Sequence, residues 1–441
     1  MRKLTTLFVA IMMILLFTVA CSSDDGNNNN ASSSDNTDAN TENTETISGE
    51  ITIMGWGGGN ELQARKDATD VFRELYPDVK VNEIWLPADS VDQKLDAALA
   101  AGDAADVIMM SPDWKGLRSQ WLEDLTPYLE RDNIDPEEVF TPGADEGYVT
   151  PDGVREGLPT TQSTFMIAYN KNIFDDAGVP YPTEDWTWDD FAEIAKQLSS
   201  GSGADRTYGM VRHWIQNRFA PFFYGGKPYN EDWTQQHIDD PETIKALELI
   251  EDLIKAEALP DDAASESMPM DAMFVSQKAA MYPLGLFEAA DLAEKIGDNF
   301  EWGVVLPPKD PNGKNVNIKF QTGFAMNKDS ENKEAAWAYI KTVSMNKEVN
   351  DLYAKVGIPA LKESADTTFA EMTIPNTDIK QVEYLRGLED AEMAPWGGAI
   401  NKATDIFEQL MEEITTQKST AKEAVEKYAP LIQEALDEVH Q

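Results

Sequence analysis

Short apolar strands alternate with amphipathic helical patterns from residue 51 onward, and this alternation constrains the fold more than any other feature of the chain. A strand at 51–54 is followed by three glycines at 57–59 and then by a helical pattern. Apolar stretches at 79–81 and 107–110 predict the next two strands, with helical spacing between them. Repeated strand–helix–strand units with short connections predict an α/β fold whose sheets are mainly parallel and flanked by helices.

The second half of the chain repeats this alternation with clear helix signals. Thr187 and Asp190 fit a capping box, and Pro241 stands where the first residue of another helix is expected. Helical spacing also covers 330–345 and 401–439, the latter as two helices. Each predicted helix has charged residues on one face and apolar residues on the other. This distribution is typical of helices whose apolar face packs against a sheet.

The first 21 residues have the features of an export signal. Arg2 and Lys3 precede an apolar run at 7–17, and a small residue precedes Cys21. The run is shorter than the about 20 apolar residues that a membrane-spanning helix needs. The stretch before Cys21, which is the one cysteine of the chain, resembles the lipobox of bacterial lipoproteins. This resemblance implies a lipoprotein signal peptide at 1–20 and a lipid on Cys21.

The segment after this cysteine has an unusual composition. Residues 22–48 consist almost entirely of Ser, Asn, Asp, Thr and Glu. Such a stretch cannot bury enough apolar surface to offset the entropy lost on ordering. We therefore predict that 21–48 is a lipidated cysteine followed by a disordered acidic tether.

The chain carries 36 basic and 79 acidic residues, a formal net charge of -43. A field of this sign repels nucleic acids, so nucleic-acid binding is excluded as a function class. The 42% of hydrophobic residues excludes a wholly disordered chain, and the length predicts two domains at about 100–200 residues each. Together with the export signal, the charge suggests a saline or alkaline exterior, where net charge maintains solubility.

Motifs for catalysis are weak. The glycines at 57–59 match neither a phosphate-binding loop nor a dinucleotide fingerprint, so they are interpreted as a tight turn where a ligand or another domain approaches. His213, His237 and His440 are too scattered for a metal motif, and there is no G-x-S-x-G. We expect no catalytic residue, no cofactor and no metal. An exported carbohydrate-active enzyme, a hydrolase or a lyase, remains the alternative, because acidic pairs and tryptophans are abundant.

A longer pattern then points to a family. Gly157-Leu158-Pro159, the run at 168–171 and the run at 174–178 are followed by Pro182 and Thr187-Trp188, with further short matches in order as far as 357–360. This succession resembles the family-1 extracellular solute-binding proteins, the sugar-binding lipoproteins of bacterial ABC importers, which are related to the maltose-binding protein.

The resemblance implies a two-lobed α/β protein that holds solute in the cleft between its lobes. Carried over to this sequence, one lobe covers 49–161 plus 323–362 and the other covers 163–320 plus 366–441. Three hinge crossings would join them, and the lobes would rotate about these crossings to close on the solute.

The cleft chemistry of such a protein can be anticipated. Sugar hydroxyls bind to carboxylates and amides, and the flat C–H faces of a sugar stack on aromatic rings. The family places a carboxylate and an aromatic residue in the loop that here contains Asp113 and Trp114, a stacking ring near Trp396, and often a Trp where Phe287 stands. Two further sources complete the predicted set: tryptophans in connections, together with the polar residues next to them, and Gln162 at the first crossing between the lobes. The predicted ligand-binding residues are Trp56, Asn60, Asp113, Trp114, Gln162, Trp214, Asn217, Phe287 and Trp396.

The resemblance implies a protein that captures a carbohydrate, preferably an oligosaccharide, and delivers it to the permease of an ABC transporter. It would act as a monomer, anchored by lipid on the extracellular face of the cell membrane, in the manner of Gram-positive bacteria. A non-sugar solute such as a polyol or a glycerol phosphate is a second alternative, since Arg212 and Arg218 flank Trp214.

Overall fold

The computed structural model describes residues 47–112, 118–150, 152–213, 215, 221, 226–230, 234–315, 317–389, 391–393 and 401–439. These described residues form one compact unit. Its described strands are β1 (Gly49–Trp56), β2 (Val79–Leu86), β3 (Val107–Met110), β4 (Leu158–Ser163), β5 (Phe165–Asn170), β6 (Tyr208–Met210), β7 (Ala279–Gly285), β8 (Trp302–Val305), β9 (Asn317–Met326), β10 (Ile358–Pro359) and β11 (Ala391–Met393).

Helices occupy most of the connections between these strands. The described α-helices are α1 (Gly59–Leu75), α2 (Ala88–Ala101), α3 (Thr126–Arg131), α4 (Pro136–Val139), α5 (Lys171–Ala177), α6 (Trp188–Leu198), α7 (Pro241–Lys255), α8 (Asp262–Ser267), α9 (Met270–Val275), α10 (Leu286–Ile296), α11 (Lys333–Met345), α12 (Lys347–Tyr353), α13 (Lys362–Ser364), α14 (Glu383–Arg386), α15 (Asn401–Thr415) and α16 (Ala421–Val439). A π-helical turn covers Ala365–Phe369, and short 3-10 helices cover Ser119–Trp121, Glu146–Tyr148 and Gly203–Asp205.

The predicted helix signals are confirmed. Thr187 caps α6: its hydroxyl accepts from Asp190 N, and the Asp190 carboxylate accepts from Thr187 N. Pro241 is the first residue of α7. Helix α7 ends at Lys255, and Glu257, two residues further on, adopts a positive φ of 52°. Among the described residues, no helix combines the length and the apolar character that a membrane crossing requires.

Two sheets organise this unit. The larger has the order β10-β4-β9-β3-β1-β2, with β11 paired to β9, and the smaller has the order β6-β7-β5-β8. We call the part built on β1 to β4, β10 and the C-terminal half of β9 the first lobe. The part built on β5 to β8 is the second lobe. The prediction of a two-lobed α/β fold is confirmed.

The prediction of mainly parallel sheets is wrong. Strand β1 pairs in parallel with β2 and β3, but β9 pairs antiparallel with both β3 and β4. In the smaller sheet β5 pairs antiparallel with β7 and β8. The reason is the connection between the lobes: β4 leaves the first lobe and β9 enters it, so these two strands run in opposite directions side by side.

Each lobe has its own hydrophobic core. In the first lobe, helices α1, α11 and α12 cover the sheet with buried residues such as Phe72, Trp337 and Tyr353. In the second lobe, α6, α7, α15 and α16 cover one face of the sheet and α9 and α10 cover the other, as Phe407 and Phe274 illustrate. Each Å² of apolar surface removed from water contributes about 25 cal/mol to folding, and this contribution is divided between two separate cores.

The chain passes between the lobes at three places. Thr164 joins β4 directly to β5, and its hydroxyl donates to Tyr384 O at 3.0 Å. Strand β9 pairs with β11 at its beginning and with β3 at its end. After β10 the chain continues to Phe369 and Ile374, which pack in the core of the second lobe. These connections leave a space between the two sheets.

Candidate functional site

A cavity of about 250 Å³ lies between the two lobes, and we call it the central cavity. The first lobe contributes the end of β1 and the first turns of α1 and α2. The floor comes from β4 and β9, and the second lobe contributes the start of α10. The end of β11, which pairs with β9, completes the wall. The residues that line it are Trp56, Glu61, Ala88, Val91, Asp92, Ser111, Thr161, Gln162, Ser163, Phe287, Lys319, Phe320, Gln321, Thr322, Val356 and Met393.

Aromatic rings form part of this wall. Trp56 ends β1, and Phe287 lies in the first turn of α10 on the opposite side. Phe320 of β9 lies between the lobes on the floor. The ring of buried Phe165 contacts the rings of both Phe287 and Phe320 edge to face, each with centroids 5.9 Å apart. These contacts hold two ring positions on the cavity wall, where a planar apolar face of a ligand can stack.

Two glutamine side chains span the floor, one on each strand that crosses between the lobes. Gln162 Nε2 donates to Thr141 Oγ1 at 3.0 Å, and Gln321 Nε2 donates to Gln162 Oε1 at 2.8 Å and to Gly143 O at 2.9 Å. Both side chains are buried. The amide of Gln162 is therefore committed to protein partners, and its contribution to the cavity is to fix the floor.

A carboxylate from α1 faces the cavity. Arg65 Nη2 donates to Glu61 Oε1 at 2.7 Å across one helical turn. The Arg65 side chain is itself buried, and its Nε contacts Met109 Sδ at 3.4 Å. A buried guanidinium behind a carboxylate fixes its orientation and leaves the remaining lone pairs for other donors.

A second carboxylate, from α2, is held in the same way. Arg118 donates from Nη2 to Asp92 Oδ1 at 2.9 Å and from Nε to Asp96 Oδ1 at 2.7 Å. The Arg118 side chain is buried, and Asp92 lines the cavity whereas Asp96 does not. Burial raises the pKa of the Asp92 carboxyl, and the adjacent Arg118 opposes this shift. Lys319 is the one cation among the described lining residues.

Sequence reasoning missed both Glu61 and Asp92. Among 79 acidic residues neither stands out by composition. A usable signal lay one helical turn further along α1, where Arg65 interrupts a buried stripe formed by Ala64, Ala68 and Phe72. A charged residue in such a stripe needs a partner, and Glu61 is within reach at the i, i+4 spacing.

Of the nine residues predicted to bind ligand, Trp56, Gln162 and Phe287 line the central cavity. Asn60 does not: its side-chain amide donates to Asp291 Oδ1 of the second lobe. The remaining predicted residues lie outside the described residues, as does the lipidation site. They are Cys21, Asp113, Trp114, Trp214, Asn217 and Trp396.

The glycine that begins α1 lies close to the second lobe. Gly59 has a φ of +52°, and a Cβ at this position would lie 2.5 Å from Asp291 Oδ2. The positive φ disfavours a side chain at Gly59, and a Cβ there would displace the Asp291 carboxylate where the first turns of α1 and α10 meet. The interpretation of this turn as a close approach of another domain is confirmed.

Two further observations bear on the chemistry of the ligand. Arg212, considered above for a phosphorylated solute, has a side chain that is 7% exposed and paired with Asp262, and Arg218 lies outside the described residues. Within the described part of the chain, no cluster of three or more His, Cys, Asp or Glu side chains could hold a metal ion. The described wall is thus made of rings, small apolar side chains and Met393, together with hydroxyls, amides, two oriented carboxylates and one lysine.

Two lobes joined by short connections, with a cavity lined by both of them, define a protein that encloses a small solute. Residues 58–348 match the family described as bacterial extracellular solute-binding protein, and the chain belongs to this family.

Known proteins resemble the chain over most of its length. The maltotriose-binding protein of Pyrococcus abyssi is 24% identical over 385 residues, which cover 83% of this chain and 79% of the relative. An ABC substrate-binding protein of Listeria monocytogenes, solved in complex with cycloalternan, has a TM-score of 0.78 at 24% identity and covers 88% of this chain and 98% of its own. The GacH receptor of Streptomyces glaucescens, solved unliganded and in complex with acarbose, has a TM-score of 0.75 at 20% identity. The match covers 88% of this chain and 99% of the receptor chain.

Proposed function

We propose that the protein binds a neutral oligosaccharide in the central cavity and delivers it to the permease of an ABC transporter. The observation that carries this proposal is the pairing of ring positions with two carboxylates that buried arginines orient toward the same space. Sugars need both kinds of contact. The names of two similar proteins, one binding maltotriose and one in complex with cycloalternan, agree with this ligand class.

Within this proposal the described residues have distinct roles. Trp56, Phe287 and Phe320 stack on sugar faces, and Glu61 and Asp92 accept hydrogen bonds from hydroxyls. Gln162 and Gln321 support the floor. The loop residues predicted from the sequence complete the site: Asp113, Trp114, Trp214, Asn217 and Trp396. Asn60, whose amide is bound to Asp291, contributes to the contact between the lobes rather than to ligand binding.

The proposed mechanism is capture by closure. The lobes, with proposed boundaries of 49–161 plus 323–362 and 163–320 plus 366–441, rotate about the three connections. A ligand that contacts both lobes binds the closed arrangement more tightly than the open one, and this difference in affinity shifts the protein toward the closed arrangement. No bond in the solute is made or broken, so the function is binding rather than catalysis.

The proposed location follows from the N-terminal sequence. Residues 1–20 direct export, Cys21 carries lipid, and the acidic tether over 22–48 separates the membrane from the folded unit. The monomer would then sample the extracellular solution within reach of the permease.

A panel of oligosaccharides tests the function. The purified protein is incubated with each sugar, its melting temperature is recorded, and the sugars are examined for products. We expect one class of oligosaccharide to raise the melting temperature without turnover. Phe287→Ala should abolish most of this shift, whereas Tyr181→Ala, which removes an exposed ring outside the cavity, should not. Product formation would establish the carbohydrate-active enzyme instead, and no shift across the panel would refute sugar binding.

A further inference from the structure

A second cavity, of about 430 Å³, also lies between the lobes. Helices α1 and α12 of the first lobe form one wall. Helix α10 and the segment 372–381 of the second lobe form the other. We call it the amide cavity because Asn60, Gln63, Asn376 and Gln381 all line it. Val356 is the one residue that it shares with the described lining of the central cavity.

One polar atom at the amide cavity has no hydrogen-bond partner among the described residues. Gln381 is 1% exposed, and its Oε1 accepts no hydrogen bond from the described part of the chain. The backbone of the same residue is satisfied, because Gln381 N donates to Met372 O at 2.9 Å. A buried carbonyl oxygen without a donor destabilises the folded protein, so a donor on a ligand would stabilise this arrangement.

The chemistry of the lining selects a type of ligand. Amide groups donate and accept, as hydroxyl groups do, and they suit a ligand that carries several hydroxyls. Asp67 and Glu294 outnumber Lys355, which disfavours anions. No described lining residue is aromatic, in contrast to the central cavity, so the faces of a sugar ring would find no stacking partner.

We propose that the amide cavity is a second binding site, specific for a small, uncharged, acyclic polyol. Gln381 Oε1 accepts from one hydroxyl of the polyol, and the amide of Asn376 and the carboxylates of Asp67 and Glu294 bind the others. Apolar contacts come from Leu352 and Met372 along the carbon chain. At about 430 Å³ the cavity lies within the usual range of small-molecule sites, about 300–1,000 Å³.

The position of the site has a consequence for the central cavity. Both cavities are lined by both lobes in the same arrangement, so a polyol that bridges the lobes favours the arrangement in which the central cavity is also formed. We therefore expect positive coupling between the two ligands, typically about 5–150-fold in affinity, and this coupling rests on the proposed sugar binding.

Calorimetric titration with xylitol tests the second site, with D-xylose as the cyclic counterpart. We expect xylitol to bind whether or not the central cavity is occupied, and D-xylose to bind there at least about tenfold more weakly. Gln381→Leu should weaken xylitol binding about tenfold, and Ala290→Leu, which fills the cavity from α10, should do the same. Gln197→Leu makes the same change on the exposed face of α6 and should have no effect.

The variants also separate the two cavities. Phe287→Ala should leave xylitol binding intact, because Phe287 lines only the central cavity. Loss of xylitol binding in Phe287→Ala but not in Gln381→Leu would place xylitol in the central cavity and overturn the proposal, as would the absence of any xylitol heat. If no sugar binds but xylitol binding keeps the expected pattern, the proposed function fails and the second site stands.

Discussion

At the scale of single residues, Asp92 and Asp96 share one arginine but differ in what else they contact. Both accept from Arg118, yet only Asp92 lines the central cavity, and the Asp96 side chain is 58% exposed. The carboxylate that faces the cavity is therefore available to a ligand, and its neighbour one turn further along α2 serves only to hold the arginine.

This difference provides a matched pair of substitutions. Asp92→Asn should weaken sugar binding about tenfold or more, because a hydrogen bond to a charged group contributes about 1.5–3 kcal/mol. Asp96→Asn should change the affinity little, since it leaves the cavity wall intact. Calorimetry or tryptophan fluorescence would measure both. Equal losses in the two variants would mean that the arginine alone matters and that Asp92 does not bind the ligand.

Phe287 permits a complementary test of the apolar contacts. Phe287→Ala removes a ring from the cavity wall and should weaken binding about tenfold, from lost stacking and lost burial together. Phe287→Trp keeps a stacking surface and adds an N–H donor, so it should bind the same sugar at least as tightly as the native protein. The sugar affinities of both variants, measured by calorimetry, would show whether the ring at this position contributes to binding. A weaker Trp variant would show that the size of this position, rather than its ring, is limiting.

The sequence could predict a cavity-lining residue where a suitable side chain stands at or near the end of a strand. The sequence predicts Trp56 and Phe287 as ligand-binding residues, and both line the cavity, because Trp56 ends β1 and Phe287 lies two residues after the end of β7. Asn60 was assigned by its nearness to Trp56 along the chain. Helix α1 begins between them, and the helical turn directs the Asn60 side chain to Asp291 instead. Two residues that are close in sequence can therefore face different sites when a helix begins between them.

At the scale of elements, Asp132 ties α3 to α11. It accepts from Lys341 Nζ at 2.7 Å and from Trp337 Nε1 at 2.9 Å. Burial alone would raise the pKa of this carboxyl, but these donors and the adjacent Arg131 outweigh burial and lower it to about 2. The ionised form is therefore favoured in the folded protein relative to the unfolded chain, where the pKa of Asp is about 3.9.

The lowered pKa gives a stability difference with a definite sign. The stabilisation by Asp132 is fully present above about pH 4 and is lost as the pH falls through about 2, because both states are then protonated. Asp132→Asn should lower the free energy of unfolding at pH 7 by about 1 kcal/mol after allowance for solvent screening, and should remove this acid-dependent part. Denaturant titrations between about pH 2 and 7 would measure it.

A control for this prediction lies in another ion pair. Asp185 pairs with Lys309 at 2.6 Å, but the Asp185 side chain is 89% exposed. Asp185→Asn should change stability little, since exposed pairs contribute little. A larger effect for Asp185→Asn than for Asp132→Asn would contradict the account.

At the scale of the whole molecule, the acidic surface opposes folding through its own repulsion. A net charge of -43 spread over 441 residues concentrates like charge in the folded unit more than in the unfolded chain. Raising NaCl from about 0.05 M to 1 M shortens the Debye length to about 3 Å and should raise the melting temperature. A melting temperature indifferent to salt, and to pH between about 7 and 10, would count against adaptation of this surface to a saline or alkaline exterior.

The overall architecture was predictable because local patterns repeat along the chain. Strand, turn and helix signals follow one another, and they define two α/β lobes once the family resemblance supplies the order of crossings. Strand direction was not predictable from these patterns. Whether β9 runs parallel or antiparallel to β3 depends on the lobe from which it arrives, which is a property of connections over more than 150 residues and not of the strand itself.

The discontinuity of both lobes has a consequence for biosynthesis. The core of the first lobe lacks the C-terminal half of β9 and all of α11 until residue 345 has been made. The core of the second lobe lacks α15 and α16 until almost the last residue. A chain emerging from the ribosome therefore cannot complete either hydrophobic core for most of its synthesis. If the chain is exported as proposed above, it would reach the membrane with neither hydrophobic core complete, and both lobes would be completed on the far side.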